Sequence, residues 1–234
     1  MENIKEDKTI SRPKVILSTF TTLFFALILP VFWILNAAGF FTPAQEIQAQ
    51  DVRTIKNWPP VLEQKYPDMT LYDQDGQLFK LSKFKGKIII IEPVGMNCPA
   101  CQAFSGAKKY GPFKGNSVQK GVSSFHDIFR NYIPQNKDAN PHIVFVQLLL
   151  YDMNMQAPSK EDARAWAEHF QLSKRNNHYV SISPYDIRNH HSFKMIPGFQ
   201  LIDENFILRI DSTGHKPKHS LYYDLLPTLN KLTR

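Results

Sequence analysis

The chain has two cysteines, three positions apart in Cys98-Pro99-Ala100-Cys101. A framework of structural disulfides needs more cysteines at wider spacing, so the pair reads as one local device. A zinc site normally takes four ligands, and no second cysteine pair completes one. Two thiols at this spacing can form a disulfide with each other and exchange it with another. That chemistry needs one thiol ionised and accessible, since the thiolate is the attacking species. An inert local bridge is the alternative.

The surrounding pattern supplies a means of ionising it. Lys87 to Ile91 reads as an apolar, fully buried strand, and the cysteines follow where a strand hands over to a helix. Cys98 is thereby expected at a helix N-terminus, where unpaired N–H groups and the helix dipole favour a thiolate. On the N-terminal side, Thr70 to Leu81 alternates apolar and polar residues about Asp75-Gly76, a hairpin signal. On the C-terminal side, His142 to Leu149 is a second apolar strand. Ser159 caps a helix that stacks Trp166 and Phe170 at i, i+4 spacing. Phe199 to Ile202 and Phe206 to Ile210 bracket the turn Asp203-Glu204-Asn205, and Leu221 to Leu232 closes the chain as an amphipathic helix. Strand, helix, strand, helix, hairpin and helix make an α/β architecture.

At 234 residues, 43% of them hydrophobic, the chain can fill one sizeable core, which excludes a disordered or fibrous protein. The formal net charge is +7, but the lysines are scattered and form no basic stripe interleaved with aromatics, so nucleic acid is not an expected partner. The charge reads as a source of solubility, with a slight lean toward acidic partners or a membrane surface.

No charged side chain falls between Lys14 and Glu46. Residues 15–37 are long enough for the roughly 20 apolar residues of a membrane-crossing helix, and longer than the apolar region of a signal peptide. A cleaved signal peptide ending near Ala37 and Ala38 is the alternative. Lys5, Lys8, Arg12 and Lys14 precede the run, whereas only Arg53 and Lys56 follow it closely. This bias puts residues 1–14 in the cytoplasm and the rest of the chain outside it, in the periplasmic space of an inner-membrane protein. Residues 38–60, with Pro43, Pro59 and Pro60, read as a tether, and 61–234 as the folded domain.

Several stretches resemble the membrane-tethered, thioredoxin-like thiol-disulfide oxidoreductases of the TlpA and ResA type. They are Tyr66 to Leu71, the Asp73-Gln-Asp-Gly turn, Leu81 to Lys87, the apolar strand, Cys98-Pro-Ala-Cys101, and Met195-Ile196-Pro197-Gly198-Phe199. The resemblance implies a thioredoxin fold with an N-terminal hairpin extension. It makes Cys98 the exposed nucleophile, Cys101 the buried resolving thiol, and Pro197 a cis-proline that with Ile196 pairs a substrate strand. It also places Glu92, six residues before Cys98, as a buried acid that takes the proton of the resolving thiol. The implied partners are exported proteins with disulfides or thiols and a membrane-embedded electron carrier of the DsbD type, and no further cofactor is expected.

The chain departs from the family pattern at Asn97, where tryptophan is common, and at Gly198, where threonine is usual. The stretch 104–132 reads as an insertion that forms either a partner-specific surface or a mobile excursion. Glu92, ahead of Pro93, has a second reading as a residue leaving the strand for the surface. His190, His191, His215 and His219 invite a metal reading, because copper-delivery proteins of the Sco type share the fold and use two cysteines and a histidine. Those proteins space their cysteines one residue further apart. Peroxidases of the superfamily carry a threonine three before the cysteine, where this chain has Gly95. An adaptor that merely kept the fold would be expected to lose a cysteine.

Overall fold

The computed structural model describes residues 58–133 and 140–233. The expected tail 1–14, the anchor 15–37 and nearly all of the 38–60 tether lie outside them. Among the described residues no helix is long and apolar enough to cross a membrane.

Seven strands form one mixed sheet: β1 (Thr70–Asp73), β2 (Leu78–Lys80), β3 (Ile88–Gly95), β4 (Ile143–Tyr151), β5 (His178–Ile182), β6 (Gln200–Ile202) and β7 (Leu208–Asp211), in the order β2-β1-β5-β4-β3-β6-β7. β3, β4 and β5 run parallel at the centre, and β6 pairs antiparallel with β3. The helices are α1 (Pro99–Ser105), α2 (Ala107–Tyr110), α3 (Phe125–Tyr132), α4 (Lys160–His169), α5 (His190–Lys194) and α6 (Leu226–Leu232), the last entered through a π-turn over Leu221–Leu225. This is the mixed sheet with flanking helices that the resemblance implies.

β3 shows why the centre is buried on both faces. Ile89 and Ile91 belong to one apolar cluster, with Trp166 and Phe170 of the α4 side, whereas Ile88 and Ile90 belong to a second, with Phe125 of α3 and Leu229 of α6. Successive side chains of a strand point to opposite faces, so an unbroken isoleucine run needs a layer on each side. α4 starts at a capping box, in which the Ser159 hydroxyl accepts from the Asp162 N–H and the Asp162 carboxylate accepts from the Ser159 N–H.

The structure departs from the sequence reading at several places. β3 continues four residues past Ile91, through Glu92 and Pro93 to Gly95, so Glu92 lies inside the strand and not at its exit. β5 and α5 have no counterpart in the sequence pattern. β5 is short and opens on a histidine, and it carries the N-terminal hairpin through its antiparallel pairing with β1. The 104–132 stretch packs onto the domain at several points. Phe113 meets the Trp166 ring at 5.2 Å, Phe125 meets Phe199 at 4.2 Å, and the Gln119 N–H bonds the Pro99 carbonyl at 3.0 Å. Aromatic side chains of the stretch are thus buried on both faces of the sheet.

Candidate functional site

β3 delivers the chain to Gly95, the Cys98 N–H closes a turn onto the Gly95 carbonyl at 2.9 Å, and α1 begins at Pro99. Proline suits this first helical position, where an N–H would have no partner within the helix. Cys98 is the N-cap, and its sulfur accepts from the Cys101 N–H at 3.5 Å. The two cysteines are free thiols, Cys98 half-buried and Cys101 fully buried.

That difference separates their acidities. The Cys98 thiol is pulled down to about 6, first by a hydrogen bond from the Cys101 thiol, with further help from the Cys101 and Ala100 N–H groups and the charge of His215, all against the cost of partial burial. Burial pushes the Cys101 thiol well up, and the Cys98 and Glu92 charges push the same way. Near neutral pH the half-buried Cys98 sulfur is a thiolate and the fully buried Cys101 sulfur holds its proton, the division of labour that exchange requires.

Beneath the pair lies Glu92, 4% exposed, its acidity held back to about 8 chiefly by burial. One residue answers it that has no place among the candidates named from the sequence. Gln147, in register with Glu92 on β4, donates from Nε2 to Glu92 Oε2 at 2.7 Å and to Ser105 Oγ at 2.7 Å, while Trp166 Nε1 donates to Gln147 Oε1 at 3.0 Å. The other carboxylate oxygen, Oε1, is buried without a partner. A lone glutamine in the apolar run Ile143 to Leu150 was the available signal.

The peptide bond between Ile196 and Pro197 is cis. A methyl group built on Gly95 would lie 3.5 Å from Ile196 Cδ1 and 3.6 Å from Cys98 Cβ, so the Ile196 and Cys98 side chains flank one spot. Gly198 explains its own departure from the family pattern. Its φ is +142°, and a Cβ there would sit 2.3 Å from the Ser212 carbonyl oxygen, which leaves no room for threonine. Asn97 Oδ1 would lie 3.3 Å from such a methyl on Gly95, so this departure too stands at the lip of the site. Cys98, Cys101, Glu92, Ile196 and Pro197 are thus brought to one end of the sheet.

Solved structures with a similar chain course include the thioredoxin domain of a thiol-disulfide oxidoreductase from Bacteroides vulgatus, 14% identical over 74% of this chain and 99% of that one, at a TM-score of 0.46. They also include BsSco, of the Sco family of cytochrome c oxidase assembly proteins, 13% identical over 74% and 95% at 0.46, and a SCO1/SenC family lipoprotein from Bacillus anthracis str. Ames, 16% identical over 79% and 100% at 0.44. No protein-family model matches the chain, and no curated protein matches it. At such identities likeness is confined to chain course, and the chemistry has to be read from the side chains.

The four histidines of the metal reading do not converge. His190 and His191 open α5 with ring centroids 6.0 Å apart, whereas His215 and His219 follow β7, and His219 Nδ1 is taken up by the Asp211 N–H at 3.2 Å. Among the described residues no three histidine, cysteine or acidic side chains gather as a metal site.

Proposed function

We propose that the protein is a thiol-disulfide oxidoreductase that reduces disulfides in exported proteins through Cys98 and Cys101. The observation that carries this reading is the split between a half-buried thiol near 6 and a buried thiol raised above its ordinary range, with a buried carboxyl group beside the second.

The cycle follows from that arrangement. The Cys98 thiolate attacks one sulfur of the substrate disulfide, the substrate S–S bond breaks, and its other sulfur leaves as a thiolate that takes up a proton. The mixed disulfide is held while the substrate backbone pairs alongside Ile196 and Pro197. Cys101 then passes its proton to ionised Glu92 and attacks Cys98 Sγ, which expels the second substrate sulfur and leaves the Cys98–Cys101 disulfide. Two electrons have moved from the protein dithiol to the substrate. A membrane-embedded dithiol carrier returns them, and an anchor at residues 15–37 raises the rate of that encounter by holding both partners at one surface.

The test is a Cys101→Ser chain in intact cells. It should accumulate exported proteins as mixed disulfides on Cys98, released by dithiothreitol and absent from the Cys98→Ser chain. Recovery of no adduct would sink the reading. The direction of electron flow is read from the potential of the couple: a value near −270 mV makes it a reductase and one near −120 mV an oxidant.

Copper delivery by the two cysteines and a histidine is the second reading; His215 is the histidine whose charge bears on Cys98, and the three side chains would have to draw together to hold the ion. It requires that cuprous ion bind the reduced chain with loss of affinity in His215→Ala.

A further inference from the structure

The rim opposite α1 is built from two segments that the fold clamps together. The Gly214 N–H donates to the Pro197 carbonyl at 2.7 Å, and the Gly214 backbone passes so close to Lys194 that a Cβ would lie 2.3 Å from the Lys194 carbonyl oxygen. The first segment, Ile187 to Ile202, contains no acidic residue but carries Arg188, His190, His191 and Lys194. The second, Ser212 to Tyr223, contains none either but carries His215, Lys216, Lys218 and His219. Lys194, Lys216 and Lys218 are exposed, and among the described residues none of them forms an ion pair.

The neighbouring carboxylates, Asp224 among them, are engaged in hydrogen bonds, but among the described residues only Asp186 of those beside the rim is ion-paired with one of its cations. Asp186 is held by Arg188 at 2.7 Å, Asp152 accepts from the Asn154 and Gln156 N–H groups, and Asp211 accepts from Thr213. Amid this positive rim, on α5, Phe193 is 55% exposed, a large apolar side chain left open beside the site.

Hydrogen bonds leave these carboxylates charged, so the three unpaired lysines tip the rim toward positive without emptying it of negative charge. Unpaired lysines cost little in water, but they raise the local concentration of an anionic partner and disfavour a cationic one. We propose that the protein selects disulfides carried in acidic segments, with carboxylates of the substrate chain meeting Lys194, Lys216 and Lys218 and an apolar residue covering Phe193. This rests on the exchange reading above and names its substrate class.

The test uses the reduced full chain in a neutral detergent and two cyclic peptides, each closed by one disulfide, flanked by aspartate and glutamate in one and by lysine and arginine in the other. At low ionic strength the acidic peptide should be reduced on the order of tenfold faster, and the ratio should collapse in 0.5 M salt. The Lys194→Gln/Lys216→Gln/Lys218→Gln chain should narrow the ratio toward one while reducing a small neutral disulfide at the unaltered rate. Equal rates for the two peptides, or preference for the basic one, would overturn the proposal. So would equal rates accompanied by tight binding to vesicles of anionic lipid, which would assign the rim to a membrane. Failure to reduce even the neutral disulfide would instead overturn the exchange reading itself.

Discussion

Of the buried and part-buried polar pairs in this domain, two are treated alike by the fold but not by the chemistry around them. Glu92 and Gln147 face each other across β3 and β4. His126 of α3 and His178 of β5 touch at 2.7 Å and line a cleft of about 620 Å³. Each pair leaves one atom unpartnered, Glu92 Oε1 and His178 Nε2. Burial disfavours the charged form in both, which raises the acid and lowers the two imidazoles. The difference is what lies next door. Glu92 shares its surroundings with two thiols, one of which gives it a proton in the proposed cycle, whereas the imidazole pair is influenced by its own members and the nearby Arg130 and Asp127. A displaced acidity marks burial, and adjacency to a reacting atom gives it a use.

The comparison breaks first at Glu92. In Glu92→Gln, attack by Cys101 on a preformed mixed disulfide should slow by roughly 100-fold, the ordinary worth of a positioned base. In the native chain that step should also rise with pH through about 8, as Glu92 ionises, and the variant should lose the inflection. Quenched-flow release of the substrate thiol measures both. An unchanged rate and profile would reduce Glu92 to another neutralised buried group.

Stability sharpens the contrast, because the two pairs must tilt it in opposite directions. Glu92 binds its proton more tightly folded than unfolded. Its contribution is therefore complete below its unfolded value of 4.5 and is lost as pH rises through about 8. At about 1.4 kcal/mol per pH unit this amounts to at most on the order of 5 kcal/mol. Denaturant unfolding of the reduced chain should show the decline, and Glu92→Gln should flatten it and be the more stable protein at pH 8.

Gln147→Leu is a smaller perturbation of the same region. It removes the hydrogen bond that favours the carboxylate, so Glu92 moves further up and the inflection in the resolving step shifts above 8 by roughly one pH unit. Trp166 Nε1 loses its acceptor, a cost of about 1–3 kcal/mol. A merely structural role would produce the stability loss without moving the inflection.

How far these features could be read from the sequence varied with the range of the forces involved. Cys98, Pro99 and the strand before them were legible because a helix N-terminus is a local event. So was the 203–205 turn between β6 and β7. The partnership of Glu92 with Gln147 was not, since it depends on a parallel register that sets residues 55 apart side by side. β5 escaped for the same reason. His178 to Ile182 has no strong strand pattern of its own, and it is held because β4 on one side and β1 on the other offer it hydrogen bonds. The basic rim, too, is two separate stretches of chain until the Gly214 to Pro197 hydrogen bond joins them.

The smallest effect on exchange should come from the second buried pair. His178 is neutral when folded and its acidity lies well below 6.5, as does that of His126 to a lesser degree, both through burial. Their contribution is present above the unfolded value near 6.5 and is lost as pH falls below it, the reverse of Glu92. The pair is best removed whole, as His126→Leu/His178→Phe, because a single change would strand the remaining ring nitrogen. Phe145 stacks on His178 at 5.8 Å and can receive the new ring. This variant should resist acid unfolding between pH 6.5 and 5 better than the native chain, with exchange rates preserved within about twofold, as for sites with no shared partner. A large drop in the resolving rate would mean that the cleft and the thiols are coupled after all, through Ser105, which lines the cleft and accepts from the same amide that holds Glu92.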